Sequence, residues 1–296
     1  MEYSAAPTQK ETARKPTGVS QRIYAFAAFA WQVGKQFFPF LHNHSFRIGT
    51  IAARIFPPVD NAVTAKLPWS DDPIEIPPGS PSSRIYLCQR YELEAVDKIL
   101  KLDLEGTTTI DVGAHAGYYS RLFAHKVGPA GEVISFEPNP TSFSYLKRNS
   151  LGYPILSMPW AVGAEVGEGY LTDPELIEHG KLVDQGKLKV SVVTLDYIMA
   201  HRTKKLGAIK IDTEGGEVAV LRGARKLLEE HPETSLFIEH QCLPENDAWE
   251  ELSKLLSDYG FYCYEVLERG TQWTLGFPFP YPQERIVYNL YFPPRK

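Results

Sequence analysis

Three stretches of this 296-residue chain place carboxylates where an apolar run ends, two of them beside glycines. The first is TIDVGAHAGYYS, residues 109–120. An apolar strand is predicted to run into Asp111, pass Gly113 and Gly117, and give way to a helix near Tyr118. Glycines at such a turn let the backbone approach a ligand that side chains would hold off. An acid at the strand end is placed to receive a cationic amino group. His115 stands where the middle glycine of G-x-G-x-x-G would be, and histidine enters left-handed backbone conformations more readily than most residues. A tight turn with no ligand would carry the same glycines.

The second stretch, VISFEPNP, ends an apolar strand on Glu137. Rossmann-like domains set a carboxylate against ribose hydroxyls about twenty residues after the first turn. Two vicinal hydroxyls can donate to one carboxylate, which also repels a 2′-phosphate. The pair of signals indicates a nucleoside ligand, either a nicotinamide dinucleotide or S-adenosylmethionine. The first loop favours the latter. It lacks the glycines that seat a pyrophosphate on a helix N-terminus, and Asp111 suits a sulfonium compound with an ammonium group.

In the third stretch, KIDTEGGEVAVLRGA, Asp212 and Glu214 follow a buried-type strand; Glu239 and His240 end the next strand, SLFIEH. Histidine has the resting pKa best suited to a base. Carboxylates at such a turn also cap the following helix. The four residues offer ligand types for a divalent metal, but their spacing fixes no geometry and no metal site is assigned.

The frame that must position these residues alternates. TTTIDVG precedes helical YYSRLFAHKVG, EVISFEP precedes TSFSYLKRNSLG, AIKIDTEG precedes EVAVLRGARKLLEEHP, and TSLFIEH precedes NDAWEELSKLLSDYG. YPILSMPWAVG adds a third strand after the second helix. Strand followed by helix, repeated, predicts an α/β fold with a parallel sheet covered on both faces. The closing runs FYCYEVLE and RIVYNLYFPP have no helix between them, so an antiparallel edge pair is expected. An insertion over roughly residues 165–203 is expected to hold a short hairpin or strand and a mobile loop, near the carboxyl ends of the strands where ligands bind. The Pro-, Asp- and Ser-rich stretch from Phe56 to Ser83 is expected to be a loop-rich connection. Before it, Phe26, Phe29, Val33, Phe37, Phe38 and Leu41 recur at near-helical spacing. They predict a helical extension packed on its own domain, on a second subunit in a homo-oligomer, or peripherally on a membrane.

Composition narrows the class. The chain is 43% hydrophobic and 23% charged, which suits a packed globule rather than a disordered chain. A net charge of -5 with no Lys/Arg block argues against a nucleic-acid substrate. Cys88, Cys242 and Cys263 form no C-x-x-C pair and fit a reducing compartment. No apolar run reaches membrane-spanning length and no secretory signal opens the chain, so a cytoplasmic protein is expected.

DVGAHAGYYS, FEPNP, WAVG, VTLDYI, KIDTEGGEVAVLRGA and IEHQ occur in the order seen in FkbM-family S-adenosylmethionine-dependent methyltransferases, which the chain resembles over roughly residues 85–267. The resemblance implies a Rossmann-like class I fold with a mostly parallel seven-stranded sheet. It also implies a catalytic domain over residues 84–296 behind an extension over 1–83, and methylation of a hydroxyl on a sugar, glycolipid or secondary metabolite. It implies that Asp111, Gly113 and Gly117 line the methionine end of the cofactor, with His115 where the family usually has Asn. Glu137, beside Pro138 and Asn139, takes the ribose. Trp160, Ala161 and Val162 border the adenine, and Tyr91 and Glu92 close over the methionine portion. In a class I fold the KIDTEG turn faces the transferred methyl. Asp212 is then the first candidate to orient or deprotonate the acceptor, Glu214 the second, with Glu239 and His240 able to contribute. The competing classes are a non-catalytic Rossmann-like scaffold recruited to a membrane or partner, and a nicotinamide-dependent oxidoreductase.

Overall fold

The computed structural model describes residues 62–78, 80, 91–173, 175, 180–242, 248–267, 271–274 and 286–295. The helical extension expected before residue 56 lies outside them.

The chain first forms a hairpin of β1 (Val63–Leu67) and β2 (Ser70–Ile76), then α1 (Leu93–Leu100). Three parallel strands follow with their crossover helices: β3 (Thr108–Val112), α2 (Tyr118–Val127), β4 (Glu132–Phe136), α3 (Pro140–Asn149) and β5 (Ile155–Met158). Next come β6 (Ala161–Val162), β7 (Gly167–Leu171), β8 (Leu182–Val183), β9 (Leu188–Val193) and α4 (Leu195–Met199). The second half holds β10 (Leu206–Ile211), α5 (Glu217–Arg222), α6 (Arg225–Glu230), β11 (Ser235–Cys242), α7 (Ala248–Asp258), β12 (Cys263–Val266), β13 (Thr271–Thr274) and β14 (Ile286–Phe292).

The main sheet runs β13-β12-β14-β11-β10-β3-β4-β5. Pairs from β11 through β5 are parallel, while β14 is antiparallel to both β11 and β12. From β3 the chain builds outward through β4 and β5, then returns to lay β10 and β11 on the other side. The strand order therefore reverses between β3 and β10, as in class I Rossmann-like sheets, and this reversal opens the crevice where such sheets bind ligands. The two closing runs do pair antiparallel, but β14 slots between β11 and β12, and an eighth strand, β13, forms the edge.

Burial explains the central strands. Every residue of β3 and β10 is buried, as a strand covered on both faces requires. On one face Val220, Leu221, Leu227, Leu228, Trp249, Leu252 and Leu256 pack against Ile209, Ile211 and Ile238. On the other face α1 and α2 deliver Val96, Ile99, Leu122 and Phe123. The run from Glu217 to Glu230, read from sequence as one helix, breaks at Gly223. A Cβ there would stand 2.1 Å from the Gly163 carbonyl oxygen, because the chain entering the insertion presses on this point. The insertion itself is a second sheet of order β6-β9-β7-β8.

The hairpin corrects the loop expected over residues 56–83. In VTAKL, Val63, Ala65 and Leu67 are buried and alternate with exposed Thr64 and Lys66. Two strands alone have only edges, so Pro73 in β2 is tolerated. The hairpin shares its core with α1 and α2. Asn149, at the end of α3, stitches it down. Its Oδ1 accepts from the Glu75 N–H at 2.9 Å, and its Nδ2 donates to the carbonyls of Glu75 at 2.8 Å and Ala116 at 2.7 Å. Asn149→Ala removes all three bonds, the buried one to the Ala116 carbonyl among them, so urea denaturation should show a loss of roughly 2–4 kcal/mol.

Candidate functional site

At the strand-order reversal, the turn after β3 is set by close backbone approach. Gly113 has φ +80°, and an added Cβ would fall 1.7 Å from the carbonyl oxygen of Asp212 at the end of β10. The Gly113 and Ala114 N–H groups donate to the Phe136 carbonyl at 3.0 and 2.9 Å, tying the turn to β4. His115 takes φ 49°, the left-handed conformation expected of it, and Gly117 takes φ 91° before α2 begins.

Glu137 locks this loop to the next one. Its Oε2 accepts from the His115 N–H and its Oε1 from the Asn139 N–H, both at 2.8 Å. Asn139 in turn caps α3, accepting from the Thr141 and Ser142 N–H groups, with Pro140 in the first turn beside it. Glu137 is 7% exposed, and burial pushes its pKa up to about 7 against the pull of the two N–H groups. Each carboxylate oxygen has a second lone pair, so two vicinal hydroxyls find acceptors there.

Asp111 is held from within the fold. It is 1% exposed; Ser120 Oγ donates to it at 2.6 Å, and Ser135 Oγ donates to Ser120 Oγ at 2.9 Å. Burial raises its pKa to about 6, while the Ser120 hydrogen bond and the Lys210 charge pull it down. Glu92 lies at the start of α1 with φ 44° but makes no side-chain cap there. The Tyr119 hydroxyl donates to its carboxylate instead, and burial, foremost, raises its pKa. The Tyr118 hydroxyl donates to the Tyr91 carbonyl at 3.1 Å, and the Tyr118 ring packs between those of Tyr91 and Trp69.

The third set converges only in part. Asp212, Glu214 and Glu239 bring carboxylate oxygens within 4.8 Å of one another. The carboxylate that ties their turn together is Glu217, whose Oε1 accepts from the Thr213 and Gly215 N–H groups and the Thr213 hydroxyl. Glu214 adopts φ 55° and accepts from the Gln241 amide. Burial, with Asp212 and Glu92 nearby, raises the pKa of Glu239 well above the usual carboxylate range.

His240 must be withdrawn from the candidate bases. Successive strand residues face opposite sides of a sheet. Glu239 faces the acids, whereas His240 is buried with its ring 5.3 Å from that of Trp249 on α7. Burial lowers its pKa to about 4. Ala161 and Val162 are buried in β6, in register with Val192 and Val193 of β9, and Trp160 packs partly buried on the main core.

One residue of the site escaped the sequence reading. Lys210, two before Asp212 on the same strand face, is 0% exposed, and its Nζ lies 3.2 Å from Asp212 Oδ2. Burial alone would lower its pKa; Asp212, Glu92, Glu239 and Asp111 overcome that and raise it. The signal in the sequence was a lysine inside an otherwise apolar run, AIKI.

The profile described as "Methyltransferase FkbM domain" matches residues 111–263, just over half of the chain, and includes the site residues from Asp111 through Gln241. The chain belongs to the FkbM methyltransferase family. A curated relative, the hexuronic acid methyltransferase AglP of Haloferax volcanii, is 26% identical over 145 residues, covering 47% of this chain. The match spans 59% of that relative's length. Among solved structures, the methyltransferase FkbM from Methylobacillus flagellatus is 15% identical, with 72% of this chain and 53% of that one covered and a TM-score of 0.43. An S-adenosylmethionine-dependent O-methyltransferase from Thermotoga maritima is 16% identical, with 70% and 66% covered and a TM-score of 0.40.

In this FkbM-family chain the buried acids leave a pH signature. Between the ordinary Asp value of 3.8 and about 6, folded Asp111 keeps a proton that the unfolded chain has lost. Its contribution is therefore full below that window and lost as pH rises through it, by roughly 3 kcal/mol. Urea midpoints measured from pH 4 to 7 should fall less steeply in Asp111→Asn than in the parent protein.

Proposed function

We propose that the protein is an S-adenosylmethionine-dependent O-methyltransferase whose acceptor is a sugar hydroxyl, with a hexuronic acid or its glycoside as the first candidate. The observation that carries this reading is the contact between Gly113 and the Asp212 carbonyl. It brings the Glu137-anchored loop and the acidic turn of Asp212, Glu214 and Glu239 to one point in the crevice.

The residues fit the cofactor. Glu137 has acceptor capacity for the ribose hydroxyls, and the acids of the crevice outnumber Lys210, the buried cation among them, which suits a ligand bearing sulfonium and ammonium charges. Asp111, Gly113, His115, Gly117, Tyr91 and Glu92 surround its methionine end in this reading. Bound S-adenosylmethionine supplies an electrophilic methyl group. The chain's own task is to hold an acceptor hydroxyl in line and take its proton. Asp212 is the residue for both, because its side chain is 19% exposed while its backbone is fixed against the cofactor loop. Two observations support an acidic sugar. AglP is a hexuronic acid methyltransferase by name. Lys181, exposed in the insertion, sets its ammonium 3.7 Å from where a Cβ of Gly215 would stand, beside the acidic turn, where an acceptor carboxylate could meet it.

Isothermal titration of the full chain with S-adenosylhomocysteine should show binding. Glu137→Ala should weaken it at least about tenfold, since hydrogen bonds to a charged group are worth roughly 1.5–3 kcal/mol. With labelled cofactor and a methyl glucuronide acceptor, Asp212→Asn should lower kcat by about 10²–10⁴. A folded protein that does not bind S-adenosylhomocysteine would reject the reading.

A further inference from the structure

Lys210 sits on a central strand of the sheet with no exposed surface, and its ammonium is 3.2 Å from Asp212 Oδ2. Burying an unpaired ammonium costs several kcal/mol, so such a group persists only where opposite charges surround it. The surroundings here come from every neighbouring element. Asp111 faces it from β3, Asp212 from the end of its own strand, Glu239 from β11, and Glu92 from the segment before α1. The Tyr119 ring of α2 covers it, with Nζ 5.0 Å from the ring centroid. One cation thus answers four carboxylates.

That ratio is unlike a structural ion pair, in which one charge offsets one other. Asp212 has two freely rotating side-chain bonds and ends a strand whose next turn contains the left-handed Glu214. Lys210 lies on the same strand face and reaches toward the same opening, so its hydrogen bond gives the Asp212 carboxylate one direction.

We propose that Lys210 is the positioning residue of the transfer site. It turns Asp212 so that Oδ2 is held by the ammonium and Oδ1 meets the acceptor hydroxyl. It also sets the charge balance at the point where the reacting methyl lies. This rests on the cofactor and acceptor reading given above, and it adds the residue through which Asp212 acts.

A test independent of the acceptor compares two cofactor analogues. S-adenosylhomocysteine is neutral where the cofactor carries its sulfonium, and sinefungin carries an amine there. Their affinities for the full-length protein are measured by titration calorimetry at about pH 8, above the ordinary carboxylate range. Lys210→Met keeps the apolar stem and removes the charge. S-adenosylhomocysteine should then bind within about threefold of the parent affinity. The sinefungin-to-S-adenosylhomocysteine ratio should move on the order of tenfold or more toward sinefungin, as loss of a full nearby charge requires. Asp212→Asn, with Lys210 retained, should move the ratio the opposite way. If Lys210→Met loses its circular-dichroism spectrum or cooperative melt, Lys210→Gln takes its place with the same expected shift, and failure of both to fold would show a merely structural lysine and overturn the proposal. Equal weakening of both analogues, with the ratio unchanged, would show a merely structural lysine and overturn the proposal. A parent protein that binds neither analogue would instead reject the cofactor reading, and this inference would fall with it.

Discussion

Where β3 and β10 end side by side, the carbonyl oxygen of Asp212 occupies the space that a side chain on residue 113 would need. This constraint follows from the reversal of strand order, since the two strands are neighbours in the sheet but leave it in different directions. Only glycine satisfies it, and its left-handed φ turns the chain back toward β4. The next residues inherit that direction. His115 arrives with its N–H aimed at Glu137, and the Gly113 and Ala114 N–H groups reach Phe136. A displacement at Gly113 would therefore move Glu137 and Asp212 together, the carboxylates proposed above for the cofactor and the acceptor. The coupling of the two loops is a matter of backbone geometry before it is one of side-chain chemistry.

The second organising term is charge. Glu137, Asp111, Glu92 and Glu239 all have raised pKa values, with burial the first cause in each. Acids held in this way strain the folded state as they ionise, a cost a structural core has no reason to carry. A cationic ligand offsets that cost when it binds, so part of the stability given up on folding returns as affinity. Lys210 keeps the arrangement within bounds. Without this buried cation among them, Asp111, Asp212, Glu92 and Glu239 would repel one another as they ionise.

Much of this was legible in the chain. Glu137, Asp212, Glu214 and Glu239 could be placed because each ends an apolar run, and strand ends gather at the crevice in an α/β sheet. Their roles in holding each other were not legible, because a hydrogen bond such as Ser120 to Asp111 depends on how α2 settles on β3. His240 was misplaced for a simple reason: proximity in sequence to Glu239 puts it on the other face of the same strand. Lys210 was passed over by the opposite error, since a charge inside an apolar strand reads as an exception until its two-residue offset from Asp212 is noticed. The hairpin was hidden by composition. Pro68 and Pro73 suggest a loop, yet the alternation in VTAKL is that of a half-buried strand.

The elements that border the opening differ from those that build it. The insertion sheet reaches the centre through Gly163 against Gly223, and through Lys181 beside Gly215. The hairpin reaches it through Trp69 on Tyr118, and through Glu75 by way of Asn149, which also bonds Ala116. Each attachment meets the core at a backbone carbonyl, a small residue or a ring face, and none of these four contacts runs through Glu137, Asp212 or Lys210. Side chains of the insertion and the hairpin that border the opening can therefore change without disturbing Glu137, Asp212 or Lys210. On the proposed function, acceptor choice and methyl-transfer chemistry are physically separable in this arrangement.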